Sequence, residues 1–419
     1  MMLATIHFGA VMEKIIINGA PPLFGEVKVS GSKNAALPIL FSTVITHGIS
    51  VIENLPDIGD TAVALKILEE LGAHIVRLGS VVYIDTRELV YSSPNNSLVS
   101  KIRASTYLIG ACLSRFGECV LGDFGGCNFS KRPIDLHILA CEALGASIDN
   151  DKITAKNLVG AEINFPKPSV GATVNAIILA AAANGETVIR GHAREPHINA
   201  LVDFLISAGA DIVFSETEIR IKGKPLSGGR ATVIGDMIEA GTYLVAGLVT
   251  DGCVTVRGIH TQTMSALLNY LSSLGAELSV GEEDISVRRG DCSYPIRVIA
   301  EPYPGFPTDL QPIMAPLMAC LSGGILRDTV WQSRFGYLRE ISAFGVRSSP
   351  VGQGYIIKKS VIKPALATSP DLRGGMACVL CALAAEGKSI IASAKTVLRG
   401  YENLEQKLRA LGADVKIEF

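Results

Sequence analysis

The sequence predicts an α/β protein with two similar domains, each built from three βαβαββ-type units packed around buried helices. Three observations support this prediction. A phrase consisting of an amphipathic helix, a Leu-Gly-Ala-like turn and a strand occurs six times. Helices that are apolar on almost every side alternate with these phrases. Apolar residues make up 48% of the 419 residues and charged residues 19%, which is typical of globular chains with sizeable cores.

The repeated phrase occurs first at ILEELGAHIV (67–76) and last at KLRALGADVK (407–416), at intervals of 64 to 73 residues. Its glycine follows the last apolar position of each helix, where a left-handed C-cap favours glycine. These glycines are Gly72, Gly145, Gly209, Gly275, Gly345 and Gly412. A second glycine marks a turn before a strand in every copy. The distance from this turn to the cap glycine is longest in the second copy, which therefore contains an insertion. We expect functional residues in this insertion.

The segments 174–183 and 243–250 are apolar almost all round, as in helices buried at the centre of a domain. Six units then predict two domains of three units each. One domain comprises residues 12–32 with 235–419 (units 4–6), and the other comprises residues 33–234 (units 1–3). Residues 1–11 precede a further methionine, Met12, and are interpreted as an N-terminal extension. The alternative is a continuous solenoid, whose repeats usually have about 20 to 50 residues and are therefore shorter.

Charge and composition argue against several classes of protein. The net charge of −2 and the lack of an aromatic-basic stripe disfavour a nucleic-acid partner. The apolar stretches are shorter than the roughly 20 residues of a membrane span, and no targeting segment stands out. Nine irregularly spaced cysteines indicate free thiols in a reducing compartment, so we expect a cytoplasmic protein. Cys378 and Cys381 form a CxxC in an apolar run, which favours core packing over a metal site.

An early turn, Gly-Ser-Lys-Asn at 31–34, lies between a predicted strand and a predicted helix. Free backbone N–H groups at a helix start, together with the point charge of Lys33, suit a phosphate group. The signal is weak on its own, because many turns have this composition and the P-loop spacing is absent.

The loop GDFGGCNFSKRP (122–133) places Cys127 after paired glycines and before Lys131 and Arg132. Basic neighbours lower the pKa of a thiol and make it reactive. A loop cysteine is otherwise usually incidental, and both interpretations remain open on residue types alone.

The segment PGFPTDLQ (304–311) leads into a predicted helix. Thr308 or Asp309 can cap that helix. Alternatively, Asp309 faces a cleft and acts as a general base. Three arginines near predicted helix starts, Arg334, Arg373 and Arg399, are either solvated or converge on an anion that they bind bidentately.

Together these stretches resemble the enolpyruvyl transferase family. The resemblance runs from about residue 13 to residue 419 and rests on nine phrases in fixed order, among them GSKNAALPIL, GGCNFSKRPIDLH, KPSVGATVN, FPTDLQ and RGYENLEQKLRALGA. It implies the two-domain inside-out α/β barrel of that family, the EPSP synthase-like fold. This expectation agrees with the six repeats.

The resemblance also implies an activity: transfer of the enolpyruvyl group of phosphoenolpyruvate to the 3′-hydroxyl of UDP-N-acetylglucosamine, with release of phosphate, in peptidoglycan synthesis. The implied route is addition and elimination through a tetrahedral ketal. Cys127 would be the general acid and the site of a covalent adduct, and Asp309 would accept the hydroxyl proton. Lys33 and Arg399 would also be catalytic. The resemblance implies no metal or organic cofactor, and it implies that an epoxide such as fosfomycin alkylates Cys127.

The implied substrate contacts form two sets. The phosphoenolpyruvate set is Lys33, Asn34, Cys127, Arg132, Arg334, Arg373 and Arg399. The UDP-N-acetylglucosamine set is Arg103, Arg132, Pro133, Ile134, Asp135, Leu136, Lys167, Ser169, Val170, Gly171, Asp309 and Val330.

Two other functions compete with this one. A 5-enolpyruvylshikimate-3-phosphate synthase-like transferase shares the fold and donor, but its motifs lack the GGC-to-RPIDLH loop. A catalytically inactive binding paralogue would keep the fold alone. The presence of Lys33, Cys127, Asp309 and Arg399 together argues against that alternative.

Overall fold

The computed structural model describes residues 13–19, 21–91, 96–122, 124–125 and 133–419. Two candidate site residues, Cys127 and Arg132, lie outside these residues, and so does the predicted extension of residues 1–11. Across the described ranges, no helix combines the length and apolar character that crossing a bilayer requires.

Helices and strands alternate along the chain. The α-helices are α1 Lys33–Ser42, α2 Gly59–Glu70, α3 Asn96–Val99, α4 Leu108–Phe116, α5 Asp135–Ala143, α6 Val170–Ala182, α7 Pro196–Ser207, α8 Met237–Val249, α9 Ser265–Leu274, α10 Gln311–Cys320, α11 Tyr337–Ser342, α12 Leu372–Ala384, α13 Ala394–Leu398 and α14 Leu404–Ala410. Short 3₁₀ helices cover Thr43–Ile45, Arg103–Tyr107 and Thr261–Met264.

The strands form small open sheets, and among the described residues no sheet closes into a barrel. The strands are β1 Lys14–Gly19, β2 Phe24–Lys28, β3 Thr46–His47, β4 Ile49–Glu53, β5 His74–Leu78, β6 Val81–Asp85, β7 Glu118–Val120, β8 Ser147–Asp149, β9 Lys152–Thr154, β10 Glu162–Asn164, β11 Glu186–Arg190, β12 Asp211–Phe214, β13 Glu218–Lys222, β14 Leu226–Ser227, β15 Arg230–Thr232, β16 Cys253–Arg257, β17 Glu277–Val280, β18 Asp284–Arg288, β19 Ile296–Ala300, β20 Gly324–Asp328, β21 Arg347–Val351, β22 Gly354–Lys358, β23 Leu366–Thr368, β24 Gly387–Ala392 and β25 Asp414–Glu418.

The third repeat shows the complete unit. Its order along the chain is β10, α6, β11, α7, β12 and β13, which is the predicted βαβαββ pattern. In its sheet, β10 is parallel to β11, and β13 lies antiparallel between β11 and β12. The fifth repeat has the same arrangement in the sheet β19-β20-β22-β21. The predicted α/β class is therefore confirmed.

The predicted cap glycines lie just after the outer helix of each unit. All six have φ between +88° and +104°, the left-handed region in which a Cβ is strained. The C-cap prediction is confirmed for every repeat.

Strands distant in sequence complete three of the units. β1 lies antiparallel between β24 and β25, so the first strand of the chain completes the sixth unit. β2 is parallel to β16, and β15 is parallel to β4. The chain therefore crosses between the two groups of units twice, and Gly31 and Gly235 face each other in an antiparallel bridge between the crossings.

The buried apolar residues form two clusters. One contains residues from 15–29 and 238–415, and the other contains residues from 35–233. The central helices α8, α10 and α12 belong to the first cluster, and α1, α4 and α6 belong to the second. Every residue of α8 after Met237 is buried, as its nearly uniform apolar sequence predicts.

Candidate active site

Asp309 joins two buried arginines in front of α10. Its Oδ1 lies 2.8 Å from a terminal nitrogen of Arg334, and its Oδ2 lies 3.0 Å from Nη2 of Arg373. Nε of Arg373 also donates to Oδ2 at 3.3 Å, so two N–H groups of this guanidinium share one carboxylate oxygen. Two of the three predicted arginines therefore converge, and they converge on the predicted base.

The alternative prediction that Thr308 or Asp309 caps the following helix is wrong. α10 begins at Gln311 after Leu310, and it receives no side-chain cap. Thr308 instead donates its hydroxyl to Asp328. The carboxylate of Asp309 is bound by guanidinium groups, whose charge attracts it more strongly than backbone N–H groups do.

Opposing effects act on the charge of Asp309. Burial alone raises its pKa, but Arg373, Arg334 and Lys33 together lower that pKa well below the ordinary value for aspartate. The carboxyl is therefore ionised at neutral pH. The effect of Lys33 also shows that the turn before α1 lies within electrostatic range of this cluster.

Arg373 is fixed from several sides and is only 2% exposed. Asp371 caps α12 and accepts from the backbone N–H of Arg373, which sets where the side chain starts. The guanidinium lies 5.6 Å from the ring centre of Tyr401, within the range of a cation–π contact. Within the described part of the chain, its buried Nη1 finds no hydrogen-bond acceptor.

A second cluster pairs the other two predicted cations with one carboxylate. Asp60, in the first turn of α2, is 3% exposed. It lies 3.2 Å from Nζ of Lys33 and 2.8 Å from Nε of Arg399. Arg399 directly follows α13, so the prediction that it lies near a helix start is wrong. Lys33 begins α1, whose apolar residues belong to the second core cluster, and Arg399 follows α13, whose apolar residues belong to the first. Both cations contact Asp60.

The turn at 31–34 is more occupied than its sequence predicts. Lys33 begins α1, but its backbone N–H donates to Asp236 at 3.2 Å, and Ser32 N–H donates to Ile234 at 2.7 Å. Asp236 also caps α8 through the N–H of Ile238 at 2.7 Å. The phosphate-binding capacity of this turn therefore rests on the Lys33 side chain rather than on free backbone amides.

A network of buried polar side chains lies at the crossings. Glu239 accepts from Ser30 N–H at 2.7 Å and from Lys407 Nζ at 2.6 Å. Ser30 Oγ donates to Glu402, and Glu402 accepts the N–H of Asp57 from the other core cluster at 2.7 Å. Burial raises the pKa of Glu239 to about 7, and Lys407 opposes this shift.

The position of this network connects it to the second cluster. Asp57 lies three residues before Asp60, and Glu402 lies three residues after Arg399. The network therefore joins the two chain segments that carry the partners of the Arg399–Asp60 ion pair. Sequence reasoning missed Asp57, Asp60 and Glu402, because nothing in their spacing distinguishes them from solvated acids.

Apart from Asp309, the described residues that are predicted for the sugar nucleotide lie on four segments. Arg103 begins a 3₁₀ helix, and burial lowers its pKa. Pro133, Ile134, Asp135 and Leu136 lead into α5, and Ser169, Val170 and Gly171 begin α6, with Ser169 as its cap. Lys167 is exposed two residues before that cap, and Val330 donates its backbone N–H to Asp328 at 2.9 Å.

No group of three or more metal-ligating side chains suited to a cation occurs among the residues that the structure describes. Cys378 and Cys381 are fully buried in α12, where they pack in the apolar core as predicted.

Comparison with known proteins adds a family relationship. The sequence profile of the EPSP synthase (3-phosphoshikimate 1-carboxyvinyltransferase) family matches residues 17–408. A protein of Caldanaerobacter subterraneus subsp. tengcongensis named UDP-N-acetylglucosamine 1-carboxyvinyltransferase 3 is 40% identical, over 96% of this chain and 99% of its own length. UDP-N-acetylglucosamine 1-carboxyvinyltransferase 2 of Clostridium acetobutylicum is 38% identical, over 97% of this chain and its whole length.

Solved structures share the fold. The enolpyruvyl transferase NikO from Streptomyces tendae superposes with a TM-score of 0.86 at 25% identity, covering 97% of this chain and 99% of that chain. An EPSP synthase from Acinetobacter baumannii superposes with a TM-score of 0.74 at 18% identity, covering 97% and 100%. At that identity the likeness establishes the fold alone. The predicted EPSP synthase-like fold is confirmed.

Proposed function

The chain belongs to the EPSP synthase family of enolpyruvyl transferases, and from this premise we propose that it transfers the enolpyruvyl group of phosphoenolpyruvate to the 3′-hydroxyl of UDP-N-acetylglucosamine. One observation carries the choice of acceptor. Relatives named for this acceptor align over almost their whole length at 37–40% identity. The likeness to EPSP synthases at 18% identity carries no argument about substrate.

The proposed reaction is an addition of the acceptor to phosphoenolpyruvate, followed by an elimination of phosphate. A proton goes to C3 of phosphoenolpyruvate, the acceptor oxygen forms a bond to C2, and the hydroxyl proton goes to a base. The tetrahedral ketal then loses a proton from C3 and expels phosphate from C2, which restores the double bond. The net products are the enolpyruvyl ether and inorganic phosphate.

We assign the acid and the base to Cys127 and Asp309. Cys127, which lies between β7 and α5 in the sequence, is the proposed acid for C3 and the site of a covalent adduct. Asp309 is the proposed base for the acceptor hydroxyl. Its support is its position, since its carboxylate contacts two guanidinium groups while 26% of its side chain remains exposed. A reacting hydroxyl can therefore reach it from solvent.

The cations are the proposed ligands of the donor. Phosphoenolpyruvate is a trianion at its fullest ionisation, and Arg334, Arg373, Lys33 and Arg399 supply four positive charges near one another. Guanidinium groups bind phosphate and carboxylate bidentately, and they stabilise the negative charge of phosphate as it leaves. Asn34, next to Lys33, and Arg132 complete the proposed set.

The proposed acceptor site consists of Arg103, residues 132–136, Lys167, residues 169–171, Asp309 and Val330. Arg103 and Lys167 are suited to the diphosphate as cations. The start of α6 offers backbone N–H groups and the positive end of a helix dipole.

We further propose that the two core clusters correspond to two domains, residues 12–32 with 235–419 and residues 33–234. The two crossings of the chain at the Gly31–Gly235 bridge support these boundaries. We place the enzyme in the cytoplasm, where both substrates occur, and we propose that it needs no metal or organic cofactor.

Phosphate release tests the reaction. Purified protein is incubated with phosphoenolpyruvate and either UDP-N-acetylglucosamine or shikimate 3-phosphate, and phosphate is measured over time. Release with the nucleotide sugar alone supports the proposal, and release with shikimate 3-phosphate alone refutes it. Absence of release with both would support the inactive paralogue.

One variant and one labelling experiment test the assigned groups. Asp309→Asn is expected to abolish phosphate release, and near-normal turnover would remove Asp309 as the base. Incubation with fosfomycin is expected to add one adduct to the peptide containing Cys127, as measured by mass spectrometry. An unmodified Cys127 peptide under conditions of complete inhibition would contradict that assignment.

A further inference from the structure

Asn175 is fully buried in the middle of α6, and its side-chain amide contacts four groups, three of which lie outside α6. Oδ1 accepts from Gly110 N–H at 2.6 Å, and Nδ2 donates to the carbonyl of Thr106 at 3.1 Å. Nδ2 also lies 2.7 Å from Nδ1 of His137 and 3.3 Å from the carbonyl of Gly171. A buried amide destabilises the fold unless its polar atoms form hydrogen bonds. The four partners of Asn175 therefore make its amide a strong structural constraint.

The amide spans a junction between two helices. The 3₁₀ helix Arg103–Tyr107 runs directly into α4, which begins at Leu108. In a continuous α-helix, Gly110 N–H would donate to the carbonyl of Thr106. Asn175 accepts from that N–H and donates to that carbonyl, so it bridges the two backbone groups where the helix changes type.

The contacts of this amide determine its orientation and the tautomer of His137. Gly110 N–H only donates and the Thr106 carbonyl only accepts, so Oδ1 must face the first group and Nδ2 the second. Nδ2 therefore donates to Nδ1 of His137, and the ring proton lies on Nε2. Burial, together with Arg103, lowers the pKa of His137 to about 4, which agrees with a neutral ring.

His137 connects the amide of Asn175 to the start of α6 through a packing contact. A Cβ placed on Gly171 would lie 2.9 Å from both Cε1 and Nε2 of the imidazole ring, so the ring packs directly against this glycine. A Cβ on Gly110 would likewise lie 2.7 Å from Oδ1 of Asn175. Both glycines permit a close approach that a side chain would prevent.

These contacts end at three of the segments that we propose bind the acceptor. Thr106 lies in the same 3₁₀ helix as Arg103, His137 directly follows Leu136, and Gly171 is itself a proposed contact. We propose that Asn175 is the positioning residue of the nucleotide-sugar site, holding the Arg103, 133–136 and 169–171 segments at the spacing that one acceptor molecule requires. This inference rests on the proposed function, because the acceptor contacts are themselves proposals.

Two variants separate the roles of the amide. Asn175→Asp keeps the shape and an acceptor for Gly110 N–H but donates to neither Thr106 nor His137. Asn175→Leu removes both functions. Ile178→Ala is the control, since Ile178 is also fully buried in α6 and makes only apolar contacts.

The expected result is a split between the two substrates. Each lost buried hydrogen bond misplaces the acceptor segments, so the KM for UDP-N-acetylglucosamine should rise roughly 10- to 100-fold in both Asn175 variants. The KM for phosphoenolpyruvate, measured with the acceptor saturating, should change less than about threefold. Ile178→Ala should lower the Tm without this split. Equal effects on both KM values, or a wild-type KM for the acceptor in folded Asn175→Asp, would overturn the proposal.

A measurement on the unmodified protein keeps the proposal testable if the variants do not fold. Nitrogen-15 NMR of labelled histidine, assigned with His137→Gln, should show His137 neutral and protonated on Nε2 at pH 6. In Asn175→Asp the ring faces a carboxylate and should become protonated at that pH. A wild-type ring protonated on Nδ1 would refute the amide bridge. Wild-type protein that neither binds nor turns over the acceptor would instead refute the proposed function, whatever the histidine spectrum.

Discussion

Replacing Asp309 by asparagine tests whether one carboxylate balances two buried guanidinium groups. Arg334 and Arg373 are 5% and 2% exposed, and both form ion pairs with Asp309. Removing one partner of a buried ion pair typically costs about 3–5 kcal/mol, because the remaining charge stays desolvated without its counter-charge.

Two features of the site place the expected cost of Asp309→Asn near the lower end of the range of about 3–5 kcal/mol. The side chain of Asp309 is 26% exposed, so water already screens part of its charge. Asparagine also keeps one carbonyl oxygen, which can accept from one guanidinium. We expect Asp309→Asn to lower the free energy of unfolding by about 3 kcal/mol. For a domain of about 150–250 residues this corresponds to a loss of about 6–12 °C in Tm.

Inorganic phosphate should distinguish this variant further. In the unmodified protein, Asp309 competes with an anion for Arg334 and Arg373, and in the variant that competitor is neutral. A ligand that binds only the folded state stabilises it by about 2.7 kcal/mol at one hundred times its Kd. Phosphate should therefore raise the Tm of Asp309→Asn more than the Tm of the wild type.

The assay is calorimetric unfolding at pH 7, with phosphate and with chloride at matched ionic strength. Asp251→Asn is the control, because it makes the same chemical change at an exposed pair with Arg289. The pKa of Asp309 is lowered, so its stabilisation is present above the unfolded value near 3.9 and is lost as the pH falls. The Tm difference should then shrink below about pH 4. A wild-type Tm for Asp309→Asn, or equal phosphate shifts in both proteins, would refute the reasoning.

Three further changes have defined outcomes. Asp60→Asn removes the shared partner of two site cations and should raise the KM for phosphoenolpyruvate at least about tenfold in the phosphate-release assay; an unchanged KM would contradict its positioning role. Gly31→Ala would place a Cβ 2.0 Å from the carbonyl of Asn54 and should lower Tm and turnover, whereas Gly336→Ala, with open space around it, should change neither. The pKa of His137 is lowered to about 4, so neutral His137 stabilises the fold above the unfolded value near 6.5, and this stabilisation is lost as the pH falls. The unfolding free energy should drop by about 2 kcal/mol more in the wild type than in His137→Gln between pH 7 and pH 5; equal drops in urea titrations would contradict it.

The sequence predicts features that depend on local backbone geometry. The six cap glycines, the apolar central helices and the order of elements in a unit all follow from periodicity and from the left-handed turn that only glycine adopts easily. Asp309, Arg334 and Arg373 were also identifiable, because each lies close to a predicted helix start.

Features that depend on contacts between distant residues were not predictable from spacing. Nothing in the sequence of β1 indicates that it pairs with β24 and β25 nearly four hundred residues later. Asp60 and Asn175 occupy ordinary helical positions, and only the folded chain shows which groups face them. Asp236 is the exception, since an aspartate directly before an apolar helix is a recognisable cap signal.

The cluster around Asp309 also bears on how the proposed base, with such a low pKa, would function. Without substrate, Arg334 and Arg373 hold Asp309 ionised and weakly basic, since a carboxylate that receives two guanidinium groups binds a proton poorly. We expect the phosphate and carboxylate groups of the proposed donor to compete for the same guanidinium groups. A donor bound there would offset the charges that lower the pKa of Asp309, and burial, which raises the pKa, would become the larger effect. The proposed base would therefore gain basicity when the donor is bound, which would limit proton removal from the acceptor to the complex in which C2 is present to receive the oxygen.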